Sequence, residues 1–233
     1  ATGSAPTETT RTGTVPAKPP RGLDELTTQA AAGTDDIDYK EYDATLDDIL
    51  GSLNDFWTRT FDEQLDEDFV PPTDFIAYDP KTDDPGCGGE PAGAENAIYC
   101  SDGRFIAWDE PSLLVPFYRD KGAMADGFIL AHEFGHAVQH SLGIFGDFTH
   151  TIEQELQADC FAGAWAGDLA DQGVLDPKDA PGKGGDIDSA LDAIYAVGDD
   201  PSVPWQAPDA HGTGDERADA FGTGYDGGVD ACA

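Results

Sequence analysis

Residues 131–140 read AHEFGHAVQH and hold three of the five histidines in a chain of 233 residues. The pattern around them is helical from Ala125 to Leu142: Leu130, Phe134, Val138 and Leu142 recur at i, i+4, and Gly143 follows as a stop. His132 and His136 are one turn apart, about 6 Å in rise, so their rings project from one face. Both can reach a single metal ion at about 2 Å. Glu133 lies about 100° round the helix, where its carboxylate can stand beside the open position of such an ion and take a proton from bound water. His140 continues the stripe but is about 12 Å along the axis from His132, too far for one ion to join both. The HExxHxxGxxH arrangement is also absent, because Gln139 and Leu142 fill its glycine and histidine positions.

The third ligand must therefore come from another segment. A second helical run, Thr151 to Leu169, carries Glu155 in ELQADC, nineteen residues after His136. Glu155 and Asp159 are i, i+4 partners, and Ala162, Gly163 and Ala166 continue that side with small residues. The expectation is close packing of this small face on the histidine helix, bringing Glu155 to a zinc ion. Asp159 would then accept a hydrogen bond from the non-ligating nitrogen of a bound histidine, the outer partner such ligands nearly always have. Glu153 is the local competitor; it points elsewhere and has no aspartate four residues on.

Upstream, Leu46, Ile49, Leu50, Leu53 and Phe56-Trp57 predict an amphipathic helix over 44–64. A short strand is expected at 74–78, stopped by Pro80, and AIYC with RFIAWD form a hairpin around Ser101-Asp102-Gly103. A helical piece follows at 111–120, and further helices are expected over Asp188–Val197 and from Gly214. This order predicts an α+β fold: a single domain, 23–233, with a small antiparallel sheet, the histidine helix and several further helices. Residues 1–22, rich in Thr, Pro and Gly, read as a flexible tether of the kind that follows a removed signal or anchor. The expected location is extracellular or at the cell surface. No run of about 20 apolar residues is present, so no membrane span is expected in this chain.

The formal net charge is −35, from 12 basic and 47 acidic side chains. The first 22 residues carry +2, so the remaining 211 carry −37. Such a surface repels nucleic acid and anionic membranes, which excludes a nucleic-acid role. Adaptation to high salt and a merely acidic secreted protein both fit this composition. The four cysteines show no CxxC spacing, so disulfides suit them better than a cysteine zinc site. Cys87 and Cys100 bracket one loop, which leaves Cys160 for Cys232; free buried thiols are the alternative. Despite many aspartates, no EF-hand pattern supports a Ca2+ site.

HExxH followed by ExxxD resembles the gluzincin pattern of thermolysin-like metallopeptidases. The fuller strings HEFGHAVQ and ELQADCFAGAWA, with GDD and HGTGDERADAFGTGY downstream, look more specifically like the putative neutral zinc metallopeptidase family of bacteria. The likeness covers roughly residues 40–232. It implies a zincin-like fold, one Zn2+ held by His132, His136 and Glu155, Glu133 as general base and Asp159 behind a histidine. A peptide or protein substrate follows from it, without naming one. By the same analogy a histidine downstream of the glutamate stabilises the oxyanion. His211, 56 residues after Glu155, is the candidate, with Arg217 a weaker one; the alternative is a loop histidine that caps or packs. Substrates of zincins lie antiparallel to an edge strand, for which 104–109 is expected. The other functional reading is a zinc-binding pseudoprotease acting as a binding module. Glu133 argues against it, because a site without turnover has no chemical need for an acid there.

Overall fold

Asp38 opens the first helix. Its carboxylate accepts hydrogen bonds from the Lys40 and Glu41 amides at 3.0 and 3.3 Å, so α1 (Tyr39–Gln64) begins five residues before the hydrophobic stripe suggests. The computed structural model describes residues 37–65, 67–175 and 185–233, and the expected tether lies outside them. Strand β1 (Asp74–Tyr78) follows, then β2 (Ala97–Cys100) and β3 (Phe105–Asp109). A π-helical turn (Glu110–Leu114) leads into α2 (Val115–Lys121), so the helical piece expected at 111–120 is two short elements. Next come α3 (Ala123–Ser141), α4 (Thr151–Asp171), α5 (Asp186–Val197), α6 (Gly214–Gly227) and a 3-10 turn (Val229–Cys232).

The α+β expectation holds, but the sheet is mixed rather than antiparallel. β2 and β3 form the expected antiparallel hairpin, with Ala97 opposite Trp108, whereas β1 runs parallel to β3, with Asp74 opposite Phe105. The order is β1-β3-β2, so 104–109 contains the central strand and not an edge. Its composition accounts for this: Ile106, Ala107, Trp108 and Asp109 are all buried, as in a strand covered on both faces. β1 and β2 are the two edge strands.

Helix α3 is the axis of the domain. Every residue from Met124 to Gln139 is buried, among α1, α2, α4, α5 and the sheet, so the stripe Leu130-Phe134-Val138 is only part of its buried surface. Helix α4 meets α3 at Gly135, where an added Cβ would stand 2.8 Å from Ala158 Cα. The close packing of the two helices is as expected, but Gly163, one residue of the expected small face, is used elsewhere. A Cβ on Gly163 would lie on the Phe221 carbonyl, and one on Gly167 would meet Tyr225 O at 2.5 Å, so this side of α4 packs backbone to backbone on α6. The pairs Cys87–Cys100 and Cys160–Cys232 are both disulfides, the second fastening the terminal turn to α4. Among the described residues no helix is long and apolar enough to cross a membrane.

Three carboxyls are buried away from the histidines: Asp109, which accepts from the Glu95 and Ser112 amides, and Glu110 and Asp126. Asp126 is fully buried and neither carboxylate oxygen has a hydrogen-bond partner among the described residues. Burial, and then the charge of Glu110, pushes its pKa well above the ordinary value. Glu110 itself is raised to about 7, by burial first and then by Asp43.

Gly135→Ala should force α3 and α4 apart and cost about 1–3 kcal/mol of stability, read from urea unfolding. A second expectation concerns pH. Because the Glu110 carboxyl binds its proton more tightly folded than unfolded, its contribution is full below about 4.5 and lost as pH rises through about 7. Relative to Glu110→Gln, the parent should therefore lose about 3 kcal/mol between pH 4.5 and 8, measured by unfolding at both.

Candidate metal centre

His132 and His136 leave α3 on one face, and α4 lays Glu155 across them. Glu155 Oε2 is 3.1 Å from His132 Nε2, and Oε1 is 3.5 Å from His136 Nε2. The three side chains are buried, with one donor atom of each within 4.8 Å of the others. The outer nitrogens are both engaged, which leaves each Nε2 facing the carboxylate. His132 Nδ1 donates to Asp159 Oδ1 at 2.7 Å. His136 Nδ1 donates to Gln139 Oε1 at 2.9 Å. Ligands about 2.1 Å from a tetrahedral zinc stand roughly 3.4 Å from one another, so these separations and this donor set fit that ion.

Behind the donors runs a buried ionic chain. Arg217, from α6, clamps Asp159 with two bonds, Nε to Oδ2 at 2.8 Å and Nη2 to Oδ1 at 2.9 Å, and its Nη1 donates to Val197 O. Its guanidinium also lies over the Phe128 ring at 5.5 Å. Burial raises the pKa of Asp159, but Arg217 and His132 outweigh it and hold the carboxyl below its usual value. Burial likewise opposes ionisation of Glu155, and the two histidines overcome it, His136 first. Burial alone would lower His132; the charge and hydrogen bond of Asp159 reverse this and bring it to about 10. The centre is thus arranged to hold positive charge between carboxylates.

Above the donors opens a cleft of about 570 Å3, lined by Glu133, by Glu95 to Tyr99 at the free edge of β2, and by His211 and Arg217. His211 reaches it on the loop 198–213, where the His211 and Gly212 amides donate to Asp199 Oδ2. Its ring is half exposed, with Nδ1 3.8 Å from Asp199 Oδ1. His140 stands outside the group of donors, its Nδ1 paired with the Tyr99 hydroxyl at 2.7 Å. Glu153 closes a capping box at the start of α4, accepting from the His150 amide.

Residues 10–233 match the family described as "Putative neutral zinc metallopeptidase", a stretch reaching further toward the N-terminus than the motifs alone suggest. The chain belongs to this family. Curated relatives include the "Uncharacterized protein YpfJ" of Escherichia coli (strain K12), 32% identical over 206 residues, which cover 77% of this chain and 66% of the relative. The "Uncharacterized protein Rv2575" of Mycobacterium tuberculosis (strain ATCC 25618 / H37Rv) is 33% identical over 162 residues, 60% of this chain and 54% of the relative. The chain thus spans less than two thirds of the length of these relatives. No solved structure matches it.

For this family member the structure brings His132, His136, Glu155 and Asp159 together as the spacing predicts, with Glu133 and His211 at the same cleft. Two contributors escape the sequence reading. Gln139 is visible there only as a failed glycine position; its Nε2 donates to Gln154 O at 2.7 Å, which turns Oε1 toward His136. The i, i+3 spacing from His136 was the available signal. Arg217, considered only as an oxyanion donor, is spent on Asp159, and nothing local announces a contact across 58 residues. Asp159→Asn and Gln139→Leu should each weaken zinc binding about 10- to 100-fold in a chelator competition, with Arg217→Met acting in the same direction.

Proposed function

We propose that this chain is a zinc-dependent peptidase, with His132, His136 and Glu155 as the ligands. The observation carrying this is the buried His-His-Glu group at the floor of a cleft whose wall supplies a further carboxylate, Glu133. Bound zinc supplies Lewis acidity, polarising a carbonyl and lowering the pKa of water to about 7. Glu133, one residue from His132 and itself buried, is the group that takes the proton of the attacking water and passes it to the departing amine. Asp159, held ionised by Arg217, keeps the His132 ring in one orientation with Nε2 inward. Gln139 does the same for His136. His211 is the donor for the developing oxyanion, carried to the cleft by a loop pinned at Asp199. That loop is tied to the start of α4 as well, through Trp205 against His150 and Thr151 bonded to Pro208 O.

A peptide substrate fits the cleft best as an added strand on the open side of β2, since β3 has no free edge to offer. The two disulfides support an oxidising compartment as its place of work. The acidic surface argues for a polypeptide substrate over nucleic acid.

Glu133→Gln should keep about one zinc per chain while losing nearly all cleavage of a peptide that the parent cuts. Full activity in that variant would remove Glu133 as the base. Glu155→Ala should instead lower the zinc content, and an unchanged metal count would point to a different third ligand.

A further inference from the structure

Two non-glycine residues among those described have positive φ: Arg104 at 54° and Glu95 at 55°. Arg104 sits in the tight turn between β2 and β3, where the hairpin requires it. Glu95 precedes β2, and Gly93, two residues earlier, already supplies a left-handed position with φ 92°. A glycine would serve at 95 without strain, yet a charged residue stands there. Its backbone is held firmly. The Glu95 amide donates to Asp109 Oδ2 at 2.7 Å, the Asp109 amide donates to Asn96 O at 2.8 Å, and the other oxygen of this fully buried aspartate accepts from Ser112 N.

The strain aims an exposed carboxylate at the rim of the cleft that contains His132 and Glu133. Glu95 makes no side-chain hydrogen bond or ion pair among the described residues, unlike Arg217, the one lysine or arginine lining that cleft, which is buried and bound to Asp159. The cleft of a chain carrying −35 therefore meets its substrate with an uncommitted negative group.

Position along β2 gives this group a direction. At the other end of the strand, Tyr99 packs on Phe145, and Phe145 packs on His136, with ring centroids 6.0 and 5.9 Å apart. A peptide paired antiparallel to β2 runs from the Tyr99 end toward the Ala97 end, so the residues after its scissile bond pass Glu95. We infer that Glu95 selects a lysine or arginine on the C-terminal side of the bond that is cut, an inference that rests on the peptidase function proposed above.

The test uses internally quenched peptides identical except for Lys, Gln or Glu at each of the three positions on either side of the scissile bond. They are cut by the zinc-loaded chain at about 10 mM salt, where the screening length is about 30 Å. At one position after the bond, kcat/KM should favour Lys over Glu about 5- to 10-fold, the scale of an exposed charge pair made attractive and then repulsive. Glu95→Gln should shrink that ratio at least threefold, and Glu95→Lys should reverse it. Glu95→Gly, which suits the positive φ and deletes the carboxylate, should lose the preference with a melting midpoint at or above the parent's. A Lys-to-Glu ratio that Glu95→Gln leaves unchanged, or a preference altered only before the bond, overturns the inference while leaving the peptidase reading intact. Failure to cut any peptide, the Gln series included, overturns the peptidase reading itself.

Discussion

At one point the backbones of α3 and α4 touch, where Gly135 meets Ala158, and the metal centre follows from that contact. Gly135 sits three residues after His132 and one before His136; Ala158 sits three after Glu155 and one before Asp159. The two small residues occupy the same phase of their helices. Each helix therefore presents its polar pair on either side of the point of closest approach. Helices whose contact residues carry larger side chains stand about 8–10 Å apart, and a carboxylate on one then meets imidazoles on the other only by reaching. Here the separation is small enough that Glu155 lies directly over both rings.

Close approach buries charge, and the rest of the domain supplies the compensation. Asp159 in the interior would be costly alone, and Arg217 from α6 neutralises it with a two-point clamp. To put Arg217 there, α6 must lie against α4, which Gly163, Gly167 and Gly224 permit by removing side chains from the interface. The disulfide from Cys160, next to Asp159, fixes the chain beyond α6 to the same helix. One face of α4 thus serves the donors and another serves the segment that keeps them ionised. Asp126 contrasts with this arrangement, being a buried carboxyl with no such partner, whose pKa burial pushes well above the ordinary value.

Much of the element order is legible in the sequence because its signals are local. The stripe beginning at Leu46 marks α1, and the hairpin around Ser101-Asp102-Gly103 marks β2 and β3. Boundaries shift where a cap decides them, as Asp38 does for α1. The failures are failures of neighbourhood. FIAWD is recognisable as a strand, yet its pairing on two sides depends on β1, which returns only through the loop 79–96. Gly163 is recognisable as part of a small face, but composition does not say that it serves α6 and not α3. Gln139 breaks a motif in the sequence and completes a hydrogen-bond chain in space.

The sequence by itself determined the relation among His132, Glu133 and His136, because a helix fixes residues one to four apart through its own backbone hydrogen bonds, whatever surrounds it. The same local rule related Glu155 to Asp159. Only the tertiary structure decided that these two pairs face each other, that Arg217 closes the chain behind them, and that β2 rather than β3 offers its edge. Those relations join segments far apart along the chain, and they depend on which backbones can approach, a property of the whole packing and not of any one segment.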